Sequence, residues 1–127
     1  MRGIEFRGKI VGAEGFVFGK LLAPLASGNA YIAYDVNEVR SFVYISRSEK
    51  VDPETVGQYT GLKDKYGKKI FEGDICWEEH NECYGVVKFE EGKFLYVWEN
   101  IAEDLWEVAA SIEIYGNIHE NPELLEA

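Results

Sequence analysis

Apolar and polar positions alternate along most of this chain. Ile4, Phe6, Gly8 and Ile10 interleave with Glu5, Arg7 and Lys9, a period of two that puts one side of the segment in a core and the other in water, as a half-buried strand requires. The turn-forming GAEG at 12–15 leads into GFVFGKLL, its hairpin partner. APLASGN (23–29) has loop composition, and AYIAYDV (30–36) and RSFVYIS (40–46) are two further strands joined by the short polar link Asn37-Glu38-Val39. In the second of these, Phe42 and Tyr44 share one face and Val43 and Ile45 the other.

The polar stretch SRSEKVDPE (46–54), ending near Pro53, is the best place for a boundary between subdomains. Val56 to Leu62 and Lys69 to Trp77 then read as the arms of a hairpin around KDKYGK, where Asp64 can accept backbone hydrogen bonds and Gly67 can take positive φ. CYGVVKFE (83–90), the turn Glu91-Gly92 and KFLYVWE (93–99) form another strand-turn-strand unit. One helix is expected next, with Asn100 as its cap, Glu103 at the third position, and Ile101, Leu105 and Val108 at helical spacing. SIEIYGNI (111–118) returns to alternation, and Asn121-Pro122 opens a short helical turn.

These elements predict a mainly β protein: an N-terminal antiparallel sheet plus a small SH3-like β-barrel with one short helix. Its 127 residues, 46 % of them hydrophobic, suffice for one domain without a disulfide or metal staple. Within residues 1–127 the expected subdomains are 1–50, the sheet, and 54–120, the barrel. No run approaches the ~20 apolar residues of a membrane span, and MRGIEFRGKIV lacks the apolar core of a signal peptide. A soluble protein of the cytoplasm, with no membrane partner, is expected. Two cysteines, Cys76 and Cys83, fit a reducing compartment.

Charge changes the picture through its distribution. Residues 1–75 carry eleven Lys/Arg against ten Asp/Glu, whereas residues 76–127 carry two against thirteen. So acidic a half repels phosphate backbones, which argues against nucleic acid as a partner. Any phosphate contact would fall to Arg2, Arg7, Lys9 and Lys20 in the other half.

Two constellations have the residue types for chemistry. Glu72 and Asp74, two apart on a predicted strand, would lie ~7 Å apart, near enough to share acid and base work. No His, Ser or Lys partner is marked out nearby, and Gly73-Asp74 reads equally as a bulge with Asp bonded to backbone amides. Cys76, His80 and Cys83, with His119 as a fourth ligand, have zinc-like residue types. Against zinc, Cys76 falls within a strand and the paired ligand knuckles of zinc ribbons are missing, so neither metal nor cofactor is expected. Most of the three Trp, eight Tyr and seven Phe belong to a core. Tyr66, Trp77, Trp106, Phe42 and Tyr44 are the candidates for a protein-binding surface.

With ETVGQYTGLKDKYGKKIFEGDI, then GVVKFEEGKF, then IEIYGNIHENPELL, and IEFRGK near the start, the chain resembles the YopX family of small bacteriophage and prophage proteins. That resemblance implies a β-rich fold and no activity assignable to named residues. Segments 13–50 and 76–84 match no strong family pattern, and Cys76 stands where an aliphatic residue is usual. The expected function is therefore that of a non-catalytic accessory protein, not an enzyme, that binds a protein of host or phage or a second copy of itself. A nucleic-acid-associated regulator or nucleic-acid mimic is the alternative. The edge 30–46, with Tyr31, Tyr34, Phe42 and Tyr44, is where self-association into a homo-oligomer is expected.

Overall fold

A computed structural model describes residues 4–23 and 25–126. They divide into two compact units that meet in sequence at Gln58 and Tyr59. The protein is mainly β, as its alternation predicts, with antiparallel sheets and one short helix.

In the first unit, β1 (Phe6–Lys9), β2 (Phe16–Leu22), β3 (Ala30–Val39) and β4 (Phe42–Val51) pair as antiparallel neighbours in the order β4-β3-β2-β1. β1 also pairs with the first residues of β5 (Gly57–Lys63), Phe6 facing Gln58 and Arg7 facing Gly57. A bridge between Ile10 and Val51, flanked by Val11 N–H to Lys50 C=O (2.9 Å) and Asp52 N–H to Lys9 C=O (2.9 Å), ties the end of β1 back to β4. Gly8 permits that approach, since a Cβ there would lie 2.8 Å from Cβ of Val51. Ala30, Ile32 and Val51 are the buried centre, packed by Phe6, Val17, Leu21 and Val56.

Two sequence expectations are corrected in this unit. Residues 46–51 are strand, not a polar boundary: Val51 is a core residue, and pairing with β3 satisfies the backbone of SRSEK whatever its side chains prefer. The β3–β4 turn lies at Arg40-Ser41 instead of 37–39, because Asn37, Glu38 and Val39 pair with Tyr44, Val43 and Phe42. Chain reversal after Val51 is local. Asp52 accepts from Glu54 N–H (3.0 Å), and the Thr55 hydroxyl both donates to Asp52 C=O (2.7 Å) and accepts from Lys9 N–H (2.8 Å).

In the second unit, the remainder of β5 pairs with β6 (Lys69–Phe71). β7 (Asp74–Glu78), β8 (Cys83–Glu90), β9 (Lys93–Trp98), β10 (Ile101–Asp104) and β11 (Ile112–Asn117) form a five-stranded sheet in the order β10-β9-β8-β7-β11. Its hydrogen bonding does not close, and β10 and β11 are its edges. One face carries Cys76, Val87, Tyr96 and Ile112 into a core completed by Ile70, Leu105 and Ala109.

The expected hairpin around KDKYGK is present, and Asp64 organises it by accepting from Tyr66 N–H and Lys68 N–H (2.9 Å each). The long strand expected over 69–77 is broken at Glu72-Gly73. Asp74 accepts from Phe71 N–H (2.7 Å) across the break, with Gly73 at φ 94°, so its carboxylate is committed to the turn. Glu72 and Asp74 consequently do not share a strand face. The expected helix shrinks to one turn, α1 (Leu105–Val108). Residues 101–104 pair as β10 with β9, satisfying an edge that a helix would leave open. Glu103 accepts from the Trp98 indole N–H (2.9 Å) instead of capping, and Asp104 pairs with Lys93 (2.8 Å).

Tyr96 closes the core of this unit. It is fully buried and donates to Cys76 C=O (2.9 Å) over Gly85, where a Cβ would strike the ring. Burial, followed by Cys76, Cys83, Glu78 and Glu103, raises its pKa far above the ordinary value near 10. The unfolded chain therefore releases this proton near pH 10 while the folded chain keeps it, and stability falls as pH rises from about 10 toward the folded value. The urea midpoint should drop more steeply between pH 9 and 11, as approximate test points, for the wild type than for Tyr96→Phe. Equal slopes would show that the phenol does not carry the effect.

Candidate interaction surfaces

β2 pairs with β3 only as far as Ala33, and beyond it β3 and β4 continue as a two-stranded ribbon. Register irregularities on either side of Asp35 mark the start of this arm. Residues 34–48 are exposed apart from half-buried Asp35. Phe42 and Val43, adjacent and therefore on opposite faces, are 65 % and 63 % exposed, so both faces of the arm meet water. Val39, Phe42 and Tyr44 lie on one face, with the Phe42 and Tyr44 rings 6.5 Å apart; Val36, Val43 and Ile45 lie on the other.

What holds the ribbon is slight. The Asn37 side-chain amide donates to Ser46 Oγ (2.8 Å) and Asp35 Oδ1 (3.2 Å), and the Arg47–Asp35 pair is long, at 4.0 Å, and exposed. An isolated two-stranded ribbon is marginal in water. Its edge also lacks the usual protection, since Phe42–Ser46 contains no charge and no proline.

The second unit carries a groove of about 680 Å³ on the sheet face opposite its core. Val86 and Val97, paired across β8 and β9, form its floor, and Leu124 and Leu125 of the turn Pro122–Leu125 form a wall. Trp77 packs edge-on against Tyr84 (4.9 Å), which packs edge-on against Tyr115 (5.7 Å). Glu82 and Glu99 rim one end, and both hold left-handed backbone, at φ 50° and 51°. Lys88 lies toward the other end, opposite Leu95. Cys83 also lines the groove. Burial, then Glu78, Glu99 and Glu103, raises its thiol pKa and keeps it protonated at neutral pH.

The candidate residues thus separate. Phe42 and Tyr44 meet on the arm, and Trp77 belongs to the groove. Tyr66, beside the Lys65 ammonium (5.4 Å), and Trp106 on α1 are exposed, and neither joins another ring among the described residues. Alternation could not find Glu82 and Glu99. Their one signal is a turn between strands, at HNE and at EN, that lacks glycine.

The zinc-like set is dispersed in environment. Cys76 lies in the core, His80 on an exposed turn and His119 half-buried. Among the described residues no three His, Cys, Asp or Glu side chains are arranged to hold a metal ion. A second cavity, of about 650 Å³, includes Glu78, but that carboxylate accepts from His80 N–H (3.2 Å) and Asn81 N–H (2.6 Å) as a turn cap. Of the cations considered for phosphate, Arg7 is buried with its guanidinium 5.0 Å over the Phe16 ring, Lys9 is half-buried, and Lys20 reaches Ile4 C=O (3.5 Å). Arg2 lies outside the described residues. No helix among the described residues is long and apolar enough to cross a membrane.

The family model described as YopX protein matches residues 15–126. A search of curated proteins returned no match. Among solved structures, the chain is similar to the crystal structure of protein EF1440 from Enterococcus faecalis, with a TM-score of 0.69 and 22 % identity over 96 % of this chain and 97 % of that one. At that identity the likeness shows the fold alone.

Proposed function

The chain belongs to the YopX family, and from that premise we propose that it is a non-catalytic protein-interaction module, an accessory protein of a phage or prophage acting in the host cytoplasm. Its working element is the β3–β4 arm, and its first partner is a second copy of itself. The observation that carries this reading is the exposure of Phe42, Val43, Tyr44 and Ile45 together, on both faces of a ribbon with unpaired edges. Charge supports a self partner. Between residues 34 and 48 the arm holds Asp35, Glu38, Arg40 and Arg47, so it is neutral and is not repelled by a second, acidic copy.

Light scattering tests the reading. Wild-type protein at tens of micromolar, an approximate working range, should give a mass above the 14.5 kDa of one chain. Phe42→Asp with Tyr44→Asp should return it to 14.5 kDa with an unchanged circular dichroism spectrum, because these exposed side chains leave the core untouched. A wild-type mass of one chain at every concentration would sink the self-association reading.

A further inference from the structure

We propose that the arm of one copy docks by its tip in the aromatic groove of another copy's second unit; this rests on the arm being the docking element. Each surface is apolar and accessible, and each supplies what the other lacks. The tip offers Val39, Phe42 and Val43 around Arg40. The groove offers Val86, Val97, Trp77 and Tyr84 behind Glu82 and Glu99. Its volume, about 680 Å³, lies in the range of roughly 300–1,000 Å³ that ligand pockets occupy and admits the Phe42 ring together with the Arg40 stem.

Charge order sets the direction of entry. From tip to base the arm runs from Arg40 to Glu38, positive then negative, and at its base Arg47 offsets Asp35 across the ribbon. The groove runs from Glu82 and Glu99 to Lys88, negative then positive. Tip-first docking therefore places Arg40 against the two glutamates and Glu38 toward Lys88.

Backbone conformation fixes the charged positions on both surfaces. Among the described residues four non-glycine residues hold left-handed backbone: Arg40, Glu82, Glu91 and Glu99. Three of them are the charged groups this contact uses, at positions where glycine or asparagine would be less strained. Glu91 is at the β8–β9 turn and takes no part. The turns between strands impose this backbone, and it fixes where Arg40, Glu82 and Glu99 leave their surfaces.

A complementation experiment separates this arrangement from symmetric arm-to-arm pairing. The arm variant is Phe42→Asp; the groove variant is Glu82→Lys with Glu99→Lys, and Glu82→Gln with Glu99→Gln serves as a milder groove variant. Each is checked by circular dichroism and its mass followed by sedimentation. Either variant alone should associate at least about tenfold more weakly than wild type, and the Gln pair about threefold more weakly. An equimolar mixture of arm and Lys groove variants should regain one-to-one association, because one retains the arm and the other the groove. A folded groove variant that associates like wild type, or a mixture that stays monomeric, overturns the docking and leaves the arm reading standing. A Lys pair that does not fold passes the decision to the Gln pair, whose wild-type affinity would equally overturn it. Wild type that is monomeric at every concentration defeats the arm reading itself.

Discussion

Replacing Asp64 with alanine is expected to cost about 3 kcal/mol of folding stability, since three backbone N–H groups lose a charge-assisted partner at one buried site. The carboxylate accepts from Tyr66 and Lys68 within its own turn and from Ile114, fifty residues away on β11, at 3.0 Å. Lys65 N–H to Ile112 C=O (3.0 Å) ties the same turn to the same strand. Asp64 is 6 % exposed, so water reaches the abandoned amides poorly and much of the desolvation cost remains. Asp64→Asn keeps one carbonyl acceptor in place and should lose roughly half as much. Urea titration measures both, and hydrogen exchange at the Ile114 amide reads the long-range contact directly. A loss below about 1 kcal/mol with Ile114 still protected would mean that the turn, not the carboxylate, holds β11.

That carboxylate also marks how far the sequence could be read. Asp64 as an acceptor and Gly67 at positive φ follow from turn chemistry within five residues of one another, and both are present. The bond to Ile114 has no local signature, because it depends on which strand the turn meets after folding. Local pattern misled where two partners competed for one segment. Ile101, Leu105 and Val108 have helical spacing, yet residues 101–104 pair with β9, since an open strand edge offers their backbone more than one isolated turn of helix does. In SRSEKV the polar side chains have loop composition although the backbone pairs as strand, and Val51 alone signals the buried end of β4. The arm is the instructive case. Apolar residues at consecutive positions 42–45 have the pattern of a strand buried on both faces, whereas here both faces are exposed. The pattern states that these side chains favour burial; nothing among the described residues covers them.

Excising the arm should therefore leave the fold intact and remove association. Ala33 and Ser48 face each other across β3 and β4, so replacing residues 34–47 with Asn-Gly rejoins the strands through a two-residue turn suited to their twist. Little native burial is lost, because the core residues Ala30, Ile32 and Val51 all lie on the near side of that junction. A two-stranded ribbon with exposed side chains is marginal in water, so its ordering cost and its own pairing nearly cancel. The monomer's stability should then change by less than about 1 kcal/mol, in either direction. In an assembly the balance differs, since half-burying Val36, Val39, Phe42, Val43, Tyr44 and Ile45 contributes on the order of 5 kcal/mol before ordering costs. Sedimentation of the shortened chain at the highest soluble concentration should show a monomer, with a urea midpoint matching that of dilute wild type. An excised variant that still associates would place the interface outside the arm. One that loses several kcal/mol as a monomer would show that the arm supports its own unit, and that its apolar faces serve folding.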